Sequence, residues 1–473
     1  MYRFLLLICL LINCHAFAAA KTARSIQLSK TNAPKLSMQA VAKKTTGPGP
    51  QASVASSSFN VAKNILGAGI LSLGSGVAFF SDSATGMYPA TALCVIMGLM
   101  STYAFKLIGE MCGKTQSDTL DAAWRKTVGA RSAPVISASI TSLCFAAALA
   151  YSIIIGDTAA SLAATFELPA KLADRSNLLL LISTAVLLPL CSLKSLAALA
   201  PFSILGLGGI LYTAVVMGIR LFEKSYLPGG KFHESIVDAA KPSFNVNGAS
   251  AIKALVLTSM LSTNYICHYN APRFYAEIKS GGIGESLRRF NKASNYGFIG
   301  AMIVSCLMMG LGFFSFGGNT MGYILNNYAS NDVLATGARI AIGGALITSY
   351  PFTFFALRDG LMDIAGIQEN KRQALMGPLT IGCLSVLTSL ALVLRDVGFV
   401  VSIGGALFGS LLIFIVPTMM KNNFIRKEAF RNGQPLKKSE KREIFINNMM
   451  QVTGVALGAM GVGVSIAKQV GSL

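Results

Sequence analysis

The sequence predicts an all-α integral membrane protein of about 11 transmembrane helices, built as a 5+5 inverted repeat with one further helix. Three observations carry this: the composition, the count of apolar segments, and two segments whose apolar run is interrupted midway. Hydrophobic residues make up 53% of the chain and charged residues 13%, whereas soluble domains carry about 25% charged residues. A net charge of +20 would suggest nucleic acid in a soluble protein. Here the basic residues lie in the N-terminal tail and between apolar spans, so they read as topology signals and no nucleic-acid partner is expected. The 9 cysteines include no CxxC pair or His-Cys cluster. They read as small hydrophobes, with no zinc site, disulfide framework or cofactor expected.

Residues 1–16 have the layout of a secretory signal peptide: Arg3, an apolar run Phe4 to Leu11, then small residues. Residues 17–57 form a basic Ser/Ala-rich tail, and no acidic residue precedes Asp82, a composition typical of organelle transit peptides. Signal followed by transit segment resembles the bipartite presequence of algae with complex plastids, the phenylalanine of CHAFAAA fitting its cleavage region. The location this implies is a plastid envelope; the alternatives are a plasma membrane, an endomembrane, or a disordered tail.

Eleven apolar spans follow, near 59–80, 88–109, 133–156, 178–193, 196–221, 249–271, 291–315, 334–357, 374–394, 398–418 and 447–466, each of roughly 20 residues, the length that crosses a bilayer. An inside N-terminus places Lys114, Arg125, Lys126, Arg131, Arg273, Lys279, Arg288, Arg289, Lys292 and the stretch 421–442 on the inner side, as the positive-inside rule requires. The outer side then holds few basic residues, among them Lys171, Arg175, Lys224 and Lys231. Residues 58–222 form the first five-helix repeat, 223–248 an outer loop, 249–420 the second repeat, 421–446 a basic inner loop and 447–473 the eleventh helix with the C-terminus. An odd number of helices per repeat inverts the second copy.

The first span, NVAKNILGAGILSLGSGVAFF, is interrupted by Gly67, Gly69, Gly74 and Gly76. Glycine weakens a helix, and unwound backbone in a membrane is tolerated only where protein covers it or it lines a cavity. A helix ending near Leu66 and restarting near Ile70 would turn N–H groups toward an anion and upstream carbonyls toward a cation. Close helix packing is the competing use of these glycines. The sixth span carries Ser259, Ser262, Thr263, Asn264, His268 and Asn270, then Pro272, which disfavours helix at Ala271. That many polar groups are costly in lipid and imply a lined cavity, with helix-to-helix hydrogen bonding as the alternative.

Three segments, NILGAGILSL, ICHYNAPRFYAEI and ITSYPFTFFALRDGL, resemble the amino acid/auxin permease family over residues 58–420, and within it the sodium-coupled neutral amino-acid transporters. The resemblance implies eleven helices in the leucine-transporter-like arrangement, with spans 1 and 6 broken. It also implies coupled transport of small neutral amino acids by alternating access, with no covalent chemistry. Gly74 departs from it, since relatives place a proline there. No nucleophile, metal cluster or acid-base pair lies at depth, so an enzyme is not expected. An amino-acid sensor of the same fold is the other alternative.

A zwitterion at the breaks must have both charges met, because an unpaired charge is prohibitive in a low dielectric. The carboxylate is assigned to the N–H groups of Gly67, Ala68 and Gly69, and the ammonium to carbonyls and hydroxyls from Ser259 through Ser262 to Thr263. Tyr151 falls where transporters of this fold place an aromatic lid. The coupling ion is expected to be Na+, held by Asn64, Gly67, Thr348 and Ser349. Pro351 frees a carbonyl one turn earlier, and related transporters use an Asn and a hydroxyl at the positions of Asn64 and Ser349. Thr348 and Ser349 have the alternative of bonding their own helix. The other coupling reading is H+ through His268, the only histidine within a span. Lys63 and Lys253 are expected to snorkel. The oligomeric state is not legible.

Overall fold

The computed structural model describes residues 52–169, 173–193, 203–244, 250–279 and 281–470. The signal-peptide and transit-like segments lie outside the described residues, apart from 52–57. Those six already enter the first span, where Ser53 caps the helix by accepting the N–H of Ser56 at 3.1 Å.

Each of the eleven expected spans meets helix. Seven helices are long and apolar enough to cross a membrane, and the bent pair Val54–Ile65 and Gly69–Phe80 makes an eighth. The fourth and fifth spans are the shorter apolar helices Arg175–Cys191 and Gly206–Phe222. The sixth is divided between Ala254–Asn264 and Ala271–Ile278. Helices two and three are Met87–Thr115 and Ala133–Thr165. Helices seven to nine are Ile283–Phe316, Val333–Ile364 and Glu369–Val393.

Boundaries move most between spans ten and eleven. Span ten runs to Arg431 and span eleven begins at Lys438, so most of 421–446, expected as a loop, is helix. Its basic residues extend the two apolar helices, Lys and Arg being good helix formers. Lys421 is the anchor there, its ammonium bonded to both oxygens of Glu110 at 2.7 and 2.8 Å and to Glu443 at 3.1 Å. Spans two, ten and eleven are thereby tied together at one end.

The spans pack by burial. Span ten is 83% buried over its most apolar stretch, whereas spans nine and eleven are 28% and 33% buried, so span ten is central and the other two face lipid. Span three lies along span eight and also touches ten; span seven lies along the first half of span one and along span two. Span ten contains π-helical backbone over Gly405–Ile415. Such wide turns often mark functional sites.

A polar latch ties the end of span five to the start of span eight. Arg220 at the end of span five forks onto Asp332 at 2.7 and 2.9 Å, and Tyr226 donates to the same carboxylate at 2.8 Å. Asp332 also caps span eight by accepting the N–H of Leu334 at 3.0 Å. Burial raises its pKa, but the bonds from Arg220, Tyr226 and the Ala335 N–H outweigh this and hold it below the usual carboxylate value. This stabilisation is therefore present above the unfolded carboxyl's pKa and is lost as pH falls through the folded one. Asp332→Ala should cost about 2–3 kcal/mol, since it leaves the Arg220 guanidinium with only Glu223, 2.7 Å away, and removes a cap. Thermal unfolding of the detergent-purified variant checks this, and a melt like that of wild type would contradict it.

Candidate functional site

Span one breaks where its glycines predict. Helix ends at Ile65; Leu66 has φ −76°, ψ 75° and Gly67 has φ −99°, ψ −174°. The chain restarts as a 3-10 turn, Ala68–Ser72, before the helix Leu73–Phe80. The two halves are bent by 49°. The Gly67 N–H turns back to the carbonyl of Ile65 at 2.8 Å, and the first turn-closing bond runs from Ile70 to the Gly67 carbonyl at 3.2 Å. The Ala68 and Gly69 N–H groups thus lead the restarted helix, where no acceptor exists within the helix itself. Gly67, assigned to the same anion, already spends its N–H on Ile65 in this conformation.

The four glycines fall into two kinds. A Cβ on Gly74 would come within 3.0 Å of Thr320, and one on Gly76 within 3.0 Å of Leu257 and Met260. Those two let neighbours approach. A Cβ on Gly67 would meet nothing nearer than the Tyr151 hydroxyl at 4.0 Å, and one on Gly69 nothing nearer than Val401 at 3.9 Å. Gly67 has an extended φ that any residue adopts, so neither conformation nor packing demands a glycine there. A methyl group at either position would fit in van der Waals contact with Tyr151 or Val401, beside the backbone of the break.

Span six breaks earlier than Pro272 suggests. Ala271 is helical, with φ −54° and ψ −40°, and Pro272 sits in the first turn of the second half, where its missing N–H costs nothing. The irregular residues are Tyr265 to Cys267. Ile266 donates to Thr263 at 3.3 Å, so the Ser262 carbonyl loses the donor that a continuous helix would supply. The Thr263 hydroxyl donates to the Val401 carbonyl of span ten at 2.5 Å. Tyr151, half-buried in span three, lies 6.5 Å ring to ring from Tyr350, whose hydroxyl shares a 3.0 Å bond with Ser152.

The structure therefore brings Gly67, Ala68, Gly69, Tyr151 and Thr263 together, with Val401 between Gly69 and Thr263. It sets three expected residues apart. Ser259 faces span eleven, where a Cβ on Gly461 would meet its hydroxyl at 2.5 Å. Ser262 bonds its own helix at Thr258, 3.0 Å away, and packs on Gly409 of span ten. His268 is fully buried among Phe105 and Phe298, its Nε2 donating to the Ser101 carbonyl of span two at 3.0 Å. Val401 was not legible beforehand, being one apolar residue in an apolar span.

The expected cation ligands are also separated. Asn64 is exposed in the last turn before the break and accepts from Asn270 of span six at 3.2 Å. Thr348 bonds back to Gly344 and Ala345 at 3.1 and 3.0 Å, as hydroxyls in membrane helices do. Ser349 has no such bond among the described residues. Pro351, inside an unbroken helix, removes the donor to the Ile347 carbonyl.

A family model for transmembrane amino acid transporter proteins matches residues 50–467. The chain is 25% identical over 380 residues to the putative sodium-coupled neutral amino acid transporter 11 of Danio rerio, covering 79% of each. It is 23% identical over 418 residues to the sodium-coupled neutral amino acid symporter 2 of Danio rerio, covering 81% of this chain and 78% of the relative. In structure it is similar to a manganese transporter of Eremococcus coleocola solved with an aromatic bis-isothiourea substituted compound, with TM-score 0.51, 14% identity and coverage of 89% and 88%. It is likewise similar to MhsT in complex with L-phenylalanine, with TM-score 0.50, 11% identity and coverage of 85% and 98%. The fold is thus leucine-transporter-like, in a multi-pass membrane protein.

The two kinds of glycine predict different outcomes for the smallest substitution. Gly67→Ala and Gly69→Ala should insert and melt like wild type to within about 0.5 kcal/mol. Gly405→Ala, whose Cβ would overlap the Ser259 carbonyl, should lose at least about 1–3 kcal/mol. Melting of the three variants in one detergent decides; equal destabilisation of all three would make Gly67 and Gly69 packing residues.

Proposed function

Because this chain belongs to the transmembrane amino acid transporter family, in which activity is transport and not catalysis, we propose that it moves small neutral amino acids by Na+-coupled alternating access. The observation that carries the reading is the break at Leu66–Gly67, whose backbone N–H groups lead a restarted helix beside Tyr151 and Val401. A carboxylate there meets the Ala68 and Gly69 N–H groups and the positive end of the half-helix, and gains no counter-charge that would have to be buried without it. The Tyr151 hydroxyl is the neighbouring donor. The ammonium is met by the Ser262 carbonyl and by Thr263, which is already turned toward span ten. With both charges held by dipoles, Val401, 3.9 Å from where a Cβ on Gly69 would stand, bounds the site and favours short side chains.

The coupling ion is proposed to join span one to span eight. A hard cation stripped of water needs several oxygens, and Asn64, the carbonyl side of Gly67, Ser349 and the carbonyl released by Pro351 supply them from two elements. Thr348 joins only by giving up its helix bond. In the described conformation span eight packs mainly on spans three and five, and Asn64 is bonded to Asn270. Ion binding would then draw the first half of span one onto span eight, which makes the ion and the conformational change one event.

Gly69→Val should abolish uptake of a labelled amino acid in liposomes while the protein still inserts and folds, because its methyls fill the carboxylate position. Near-normal uptake would remove this site. In the same liposomes, replacing Na+ by choline at constant pH should abolish wild-type uptake of L-alanine; uptake that persists and follows an imposed proton gradient would replace Na+ by H+.

A further inference from the structure

A polar cavity opens at the face opposite the one where span one begins, the expected outer face. Its volume is about 650 Å³, and it reaches down to Ser75 and Thr320. Ser75 lies six residues beyond Gly69, roughly 10 Å along the chain axis at the rise of a helix, so the cavity points at the break. Phe79 forms one wall. The Lys253 ammonium stands 5.1 Å from the centre of its ring and the Lys468 ammonium 4.9 Å, which places these two cations within about 10 Å of each other.

Neither lysine has a carboxylate within ion-pair distance among the described residues. Other covered cations are met by a carboxylate or by carbonyls: Arg175 has Asp157, Arg220 has Asp332, Lys421 has Glu110 and Glu443, and Arg339 has the carbonyls of Leu325, Tyr328 and Ala329. Snorkelling would carry the two ammoniums outward to water or lipid headgroups. Here both line the cavity together with Arg395. An aromatic face attracts a cation through its quadrupole, but it cannot cancel the repulsion between two cations as an anion would. The cavity also holds Asp82 and Asp396, and Asp396 is already accepting the Gly398 N–H at 2.8 Å as a helix cap. Asp82 lies beside Gly318, with no ion pair among the described residues.

We propose that this vestibule is a carboxylate-binding antechamber, in which Lys253 and Lys468 take the carboxylate of the amino acid before it descends to the break in span one. This rests on the transport reading given above, and it adds a second binding position with its own residues. The lysines come from spans six and eleven and the ring between them from span one. A substrate held here is therefore oriented carboxylate toward span one, the end that the Ala68 and Gly69 N–H groups receive next.

The test reads the lysines directly and needs no transport. The full chain in neutral detergent is treated with an amine-acetylating reagent, and modification of Lys253 and Lys468 is followed by peptide mass spectrometry against exposed Lys224, at constant ionic strength. Propionate in place of chloride should slow acetylation of both lysines several-fold relative to Lys224, and propionamide, of the same shape without the charge, should not. Equal effects of the two probes would overturn the proposal. So would protection by anionic lipid micelles with none by propionate, which would make these lysines headgroup anchors. In liposomes, the double variant Lys253→Gln, Lys468→Gln should raise KM for L-alanine about tenfold with the maximal rate retained, the scale of one lost charge-assisted contact. Lys253→Arg should keep the wild-type KM. An unchanged KM in the double variant contradicts the proposal. If wild type moves no L-alanine, the transport reading fails and the propionate protection alone decides the vestibule.

Discussion

A polypeptide inside a bilayer must satisfy its own backbone, and that constraint bears on the two helix openings found among the described residues. Each unpaired amide in hydrocarbon costs several kcal/mol, so a helix can open only where something else receives the exposed groups. Two helices open here, the first at Leu66–Gly67 and the sixth at Tyr265–Cys267. Both openings are walled by protein: the first lies against spans three, six, seven and ten. They are also joined, since Thr263 just before one opening bonds Val401, which faces Gly69 beside the other. The polar interior of the protein is thus built mostly from main chain, which offers donors and acceptors without a net charge that would be stranded when the substrate leaves.

The rest of the molecule can be read as what holds these openings in place. The latch of Arg220, Tyr226 and Asp332 fixes the start of span eight at the outer end, and Arg339 donates to the carbonyls of Leu325, Tyr328 and Ala329 to hold the loop beneath it. At the inner end Lys421, Glu110 and Glu443 bind spans two, ten and eleven. Charges appear at the two ends and dipoles in the middle. That distribution follows from the dielectric each group experiences, because an ion pair near water keeps much of its hydration while one at mid-depth loses it.

Much of this was legible in the sequence, and the failures share a cause. Apolar length gave the spans, and glycine spacing gave the first break, because both signals are local. The sixth break was misplaced: Pro272 constrains the residue before it, yet a proline also begins a helix well, and only the surrounding fold selects between the two. Ser259, Ser262 and Thr263 look alike in sequence, but a helix turns 100° per residue, so one hydroxyl reaches span ten, another packs on Gly409 and the third faces span eleven. Which face meets which neighbour depends on contacts hundreds of residues away, as with Val401. The same limit hid the vestibule, whose two lysines are 215 positions apart in sequence and meet only at Phe79.

The central claim is that the opened backbone of span one receives the substrate carboxylate. A structure of the protein with L-alanine bound tests it most directly. The account predicts the carboxylate oxygens within hydrogen-bonding distance of the Ala68 and Gly69 N–H groups, with the Tyr151 hydroxyl beside them and the side chain directed at Val401. A carboxylate found on a charged side chain, with the Gly67–Gly69 backbone left facing water, would contradict it.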